Sequence, residues 1–218
     1  MNEITSRFDP ACQLCPRLAK HLRAVKNDHP NYHAAPVAPF GAKNARFLIV
    51  GLAPGKHGAN ATGRPFTGDY AGVLLYDTLY QFGFSNQPVA TRADDGLVLK
   101  GARITNAVKC LPPDNKPTPK EIQTCNDYLR VELNGLPKQS VILALGNIAH
   151  RAVLRAFDYK LAAYPFGHDA AYVLPNAHVL VSSYHCSRYN TQTRRLSTDM
   201  FHQVFKRIRA LLEQRGAL

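Results

Sequence analysis

No apolar run among the 218 residues approaches the roughly 18 that a membrane-spanning helix requires. The opening Met1-Asn2-Glu3-Ile4-Thr5-Ser6-Arg7 lacks the basic and apolar regions of a secretory leader, so the chain is expected to stay in the cytoplasm. No repeat or low-complexity tract interrupts it, and its length suits one domain over residues 1–218. Acidic residues are scarce: 15 Asp+Glu stand against 27 Lys+Arg, a formal charge of +12. That imbalance suits a polyanionic partner, nucleic acid being the commonest, although a basic surface also fits a protein that is merely soluble. Also missing is the His-x-Glu plus Pro-Cys-x-x-Cys signature of zinc nucleobase deaminases, which disfavours that class.

An even set of cysteines is lacking too. Five of them in a cytoplasmic chain argue against a disulfide framework. Cys12 and Cys15 form a C-x2-C knuckle, whose short turn aims both sulfurs at one metal; Cys110 and Cys125 follow much later. This set fits a structural zinc or an iron–sulfur cluster equally well, and also two unrelated buried thiols beside an inert pair. The long gap between second and third cysteines favours a site that ties the N-terminal segment to the body of the fold. Cys186 stands apart.

What is present reads as alternating strands and helices. Short apolar runs at 46–51, 102–109, 140–146 and 178–182 suit buried parallel strands. Helical patterns cover about 69–82, 147–157 and 198–214. A further helix starts at Thr118-Pro119-Lys120-Glu121, a Thr cap with Pro first and Glu third, and carries Cys125 on its second turn. Residues 84–100 read as a turn with a weak edge element, and 158–177 as loop. Such alternation implies α/β architecture: a mostly parallel four-stranded sheet between helical layers, with ligands taken at the carboxyl ends of the strands. Three polar loops converge there: 51–68, 105–116 and 183–195.

Those loops carry Gly51-Leu-Ala-Pro-Gly-Lys-His-Gly-Ala-Asn-Ala-Thr-Gly-Arg-Pro-Phe-Thr-Gly-Asp69, Thr105-Asn-Ala-Val-Lys-Cys110 and Ser183-Tyr-His-Cys-Ser-Arg-Tyr-Asn-Thr-Gln-Thr193. In order and spacing, from Cys12 to the last helix, the chain resembles the uracil-DNA glycosylase superfamily, in particular its family 5 (type B) branch of bacteria and archaea. Leu52 stands where the related family 4 has an acidic residue. One departure is His185-Cys186-Ser187, where the family usually has His-Pro-Ser; losing that proline lifts a backbone restriction.

The resemblance implies a three-layer α/β/α sandwich of the uracil-DNA glycosylase type. It implies a monomer acting on uracil-containing or otherwise deaminated DNA, such as DNA with hypoxanthine, and a [4Fe–4S] cluster on Cys12, Cys15, Cys110 and Cys125. Phe66 is then the stacking platform and Asn106 the reader of uracil O4 and N3–H, a pattern that cytosine inverts. His185 donates to O2 of the departing base, and Asp69 supports the sugar cation and positions water. Asn60 adds a polar group, and Leu52 and Ala53 border the base, with the backbone amides of 52–54 as further donors. Arg188, Arg194 and Arg195 are candidate phosphate contacts, as are Lys20, Arg23 and Lys26, and Tyr189 a candidate wedge. Residue type alone allows blander roles: a core phenylalanine, a turn asparagine, a solvated histidine, an Asp69 helix cap. A non-catalytic nucleic-acid-binding iron–sulfur or zinc protein on the same fold is the rival.

Overall fold

The computed structural model describes residues 8–217. Its helices are α1 (Pro16–Asp28), α2 (Ala59–Thr62), α3 (Tyr70–Gln81), α4 (Pro119–Asn134), α5 (Asn147–Ala156), α6 (Arg188–Gln192) and α7 (Thr198–Glu213). The strands are β1 (Phe40–Gly41), β2 (Phe47–Gly51), β3 (Ala102–Asn106), β4 (Val141–Leu145), β5 (Ala171–Val173) and β6 (Val179–Ser183). They form one sheet in the order β1-β3-β2-β4-β6-β5. Its four inner strands are parallel and match the four apolar runs, whereas β1 and β5 add antiparallel edges. The four-stranded expectation is corrected to six. The additions are two and three residues long, too short to show any periodicity.

The inner strands are buried on both faces, which is why they read as unbroken apolar runs. Alternate residues serve opposite layers. Leu48 and Val50 pack with Leu18, Leu22, Ile122, Leu129 and Val153 of α1, α4 and α5. Phe47 and Ile49 pack with Leu75, Leu79, Phe201, Phe205 and Ile208 of α3 and α7. The capping box of α4 forms as its sequence requires: Thr118 Oγ1 accepts from the Glu121 N–H and Glu121 Oε2 from the Thr118 N–H. Helix α1, absent from the sequence-based layout, buries Leu18, Leu22 and Val25 beneath an otherwise polar surface. Among the described residues, no helix is long and apolar enough to cross a membrane.

The chain runs from β2 outward to β3, then crosses back to β4 on the opposite side. The carboxyl ends of β2 and β4 therefore border a topological switch point, where α/β sheets open a crevice.

Candidate active site

A pocket of about 570 Å³ opens at that crevice. Leu52, Ala53 and Gly55 line it from the loop after β2, Asn106 from the end of β3, Gly146 to Ile148 from the exit of β4, and His185, Ser187, Arg188 and Tyr189 from the segment after β6. Phe66, Asp69, Tyr70, Ala71, Asn115 and Leu145 complete the wall. Its size lies within the usual range for small-ligand sites.

The loop after β2 is built around one carboxylate. Asp69 occupies the N-cap position of α3, yet its side chain makes no capping bond. It reaches back across the loop instead, where Oδ2 accepts from the Ala59 N–H at 3.0 Å and the Gly55 N–H donates as well. A Cβ at Gly55 or Gly58 would overlap that carboxyl group, which is why both positions are glycine. Burial pushes the Asp69 pKa up, and the two amide donors pull it part of the way back.

Phe66 has a left-handed backbone, φ 58°, and its ring lies so close to Gly51 that a Cβ there would sit 2.7 Å from it. It belongs to the α3–α7 core and also lines the pocket. Neighbouring Arg64 is 4% exposed and fixes this bend: it donates to Thr67 Oγ1 at 2.7 Å and pairs with Asp95 at 2.7 Å. Residues 84–100, with a single bridge between Ser85 and Leu99, thus act as a clamp on the Phe66 turn. Across the pocket the His185 ring faces Phe66, centroids 6.1 Å apart and planes within 24°. Burial pulls the His185 pKa down to about 4, so the imidazole is neutral at neutral pH. The Asn190 amide donates to the His185 carbonyl at 2.8 Å, and the Cys186 thiol to the Ala71 carbonyl at 3.4 Å. Cys186 thus anchors the loop despite the missing proline.

Asn106 is 3% exposed, and its Oδ1 has no partner among the described residues. A buried acceptor left open at a pocket wall is an acceptor available to a ligand. Asn60 departs from its expected place. It is buried inside the loop, its Nδ2 3.5 Å from the Lys56 carbonyl, and it is not among the pocket-lining residues. Arg188 stands on the rim, its guanidinium 4.9 Å from the Tyr70 ring centre. Arg195 instead covers Tyr184, and both it and Arg194 lie outside the lining. Tyr189 is 70% exposed at the mouth. Sequence reasoning missed Tyr70 and the Gly146–Ile148 wall. The available signal was Gly146 at a strand exit, where φ is 90° and the N–H donates to the Ser183 carbonyl, joining two of the loops.

Cys12, Cys15, Cys110 and Cys125 line one further cavity, between the start of α1, the turn after β3 and α4. The Lys109 N–H donates to Cys125 Sγ at 3.3 Å. Burial pushes the Cys15, Cys110 and Cys125 thiols up, Cys15 to about 11, and each is raised further by neighbouring cysteine sulfurs. Among the described residues no three His, Cys, Asp or Glu side chains close around a single ion position. The four thiols surround a shared cavity rather than a point, and a soft, multiply positive group is what four crowded sulfurs accommodate. The donor set fits an iron–sulfur cluster.

This fold and this pocket are those of a nucleobase-excising α/β domain, and the uracil-DNA glycosylase superfamily model matches residues 38–209. The chain is 47% identical over 208 residues to a type-5 uracil-DNA glycosylase of Thermus thermophilus, covering 92% of this chain and 94% of that one. It is 41% identical over 204 residues to a type-5 enzyme of Pyrobaculum aerophilum, covering 91% and 88%. A type-4 uracil-DNA glycosylase of Archaeoglobus fulgidus is 35% identical over 121 residues, 55% of this chain and 53% of that one. The chain belongs to the uracil-DNA glycosylase superfamily, in its type-5 family.

Proposed function

We propose that the chain is a DNA-repair glycosylase that hydrolyses the N-glycosidic bond of uracil in DNA and leaves an abasic site. The observation that carries this reading is one pocket in which a neutral histidine, a partly desolvated carboxylate, an aromatic face and an open amide acceptor meet at the sheet's switch point.

The nucleotide leaves the stack and its base enters the pocket, an extrusion that costs a few kcal/mol and least at a mismatch. The base lies on Phe66, and Asn106 accepts from N3–H and donates to O4. As the bond to C1′ breaks, its electron pair passes to the base, whose O2 takes a hydrogen bond from the neutral His185 ring. The sugar becomes cationic. Asp69 supports that charge and orients a water, whose oxygen bonds to C1′ while its proton passes through the carboxylate to solvent. The pocket volume also admits a purine such as hypoxanthine, the second substrate assigned here. Arg188, Arg194 and Arg195 supply phosphate contacts, while Asn60 supports the loop rather than the base. A [4Fe–4S] cluster held by Cys12, Cys15, Cys110 and Cys125 would supply cross-linking, since no step moves an electron. In this reading the domain works as a monomer on DNA in the cytoplasm.

Incubation with a duplex containing one uracil opposite guanine should release free uracil and leave an alkali-labile abasic site. Tight binding of that duplex with no release of uracil would instead establish the non-catalytic alternative.

A further inference from the structure

Lys109 is the one lysine buried to 2% exposure, and nothing in the chemistry above uses it. It lies three residues beyond Asn106 of the pocket wall and one before Cys110. Its Nζ meets three acceptors: Thr105 Oγ1, the Asn106 carbonyl at 2.9 Å and Glu132 Oε1 of α4 at 2.6 Å. Thr105 Oγ1 also donates to Glu132 Oε1 at 3.2 Å. Three donors and three acceptors satisfy the ammonium completely, as a buried charge demands.

The partner that matters is the Asn106 carbonyl. On its β2 side, the strand end is held by the Gly51 register and by the Ala107 N–H donating to the Gly51 carbonyl at 2.9 Å. That N–H shares a peptide plane with the Asn106 carbonyl, and the Val108 N–H donates on to the Leu52 carbonyl at 2.9 Å; Lys109 holds the carbonyl edge of the plane, which without it could tilt about the one remaining bond. A tilt there would swing the side-chain amide whose Oδ1 stands open. We infer that Lys109 and Glu132 form a strut that sets the angle of the Asn106 amide, and that they are positioning residues for base recognition. Glu132 fixes the ammonium from α4, so the plane that reads the base is referenced to the helix that also carries Cys125.

The inference rests on Asn106 reading the base edge. Uracil and hypoxanthine both offer an N–H beside a C=O, at different distances from the sugar, so a displaced amide meets the two unequally. A strut that merely held the fold together would slow both alike.

The test compares Lys109→Met, the double variant Lys109→Met/Glu132→Leu, Glu132→Gln and Asn106→Ala with the parent. The double variant leaves neither charge buried alone, the arrangement that most damages folding. Single-turnover excision is measured on uracil and on hypoxanthine duplexes, with undamaged-duplex affinity, iron content and melting temperature alongside. Both Lys109 variants should excise uracil about 10–100-fold more slowly, the range expected from sub-ångström to ångström misplacement. The uracil-to-hypoxanthine ratio should change, duplex affinity and iron content should not, and Glu132→Gln, which keeps an acceptor, should recover most of the rate. A folded double variant with parental rates on both bases overturns the strut, as does an equal slowing on both bases that tracks lost melting temperature. If Asn106→Ala also excises normally, the reading of Asn106 falls together with the strut. If Asn106→Ala is crippled and the Lys109 variants are not, only the strut falls.

Discussion

Two cavities flank the end of β3, four residues apart in the chain, and they are unfinished in different ways. At Asn106 the base pocket holds groups kept in the form the reaction needs: an open amide acceptor, a histidine stripped of its proton by burial, a carboxylate raised but still held by two amides. At Cys110 four like sulfurs line one small cavity, where burial and the neighbouring sulfurs push the Cys110 and Cys125 thiols up. The first cavity is poised for a visitor and loses nothing by waiting. Mixed polar groups with one open acceptor therefore differ from four like sulfurs in the kind of group each cavity can hold.

The strongest way to break that contrast is Asp69→Asn, which keeps the volume and an acceptor oxygen for the Ala59 N–H. Single-turnover excision of uracil should fall about 100–10,000-fold, the usual weight of a positioned acid–base group, with the melting temperature little changed. Full activity would return Asp69 to a purely structural role. His185→Ala should slow excision about 100–1,000-fold, the cost of one donor to a developing anion, while undamaged-duplex binding stays within about twofold. At the other cavity, Cys110→Ala should strip iron and acid-labile sulfide and lower the melting temperature by about 10 °C, equivalent to a few kcal/mol for a chain of this size. A colourless parent carrying one zinc per chain would sink the cluster assignment.

Acidity sharpens the contrast further. His185 has its folded pKa near 4 against an ordinary 6.5, so between those values the unfolded chain binds more protons than the folded one. This histidine's contribution is complete above about pH 6.5 and is lost as pH falls toward 4. His185→Asn should therefore flatten the fall of melting temperature across that window, and the parental excision rate should show no break at 6.5. The smallest effect belongs to the rim: Arg188→Ala should reduce the log–log salt slope of duplex binding by about 0.9, one phosphate contact.

Much of this was legible in the chain. Buried parallel strands announce themselves as apolar runs ending in glycine or a polar motif, and the α4 capping box is a local code that packing does not override. Strand–loop order alone brought the three loops to one rim; the choice of Phe66, Asn106, Asp69 and His185 within them came from the family resemblance. The misses are equally physical. Helix α1 hid behind a polar majority, with only Leu18, Ala19, Leu22 and Val25 buried. Edge strands of two and three residues have no period to read. Asn60 was misplaced because a polar residue in a glycine-rich loop looks the same from the sequence whether it faces a pocket or the loop's own interior. Asp69 was ambiguous for a related reason: its backbone is at a cap position, but its side chain serves the preceding loop.

The seat that Gly55 and Gly58 make for the Asp69 carboxylate has a consequence for anyone wishing to retarget this scaffold. It fixes two points of the first loop. Any side chain at either glycine displaces the carboxylate itself, so no compensating change elsewhere in the wall can rescue it. Leu52 and Ala53, which face the pocket and hold no part of the seat, are free of that restriction. A library seeking acceptance of bulkier damaged bases belongs at those two positions, with the glycines left untouched.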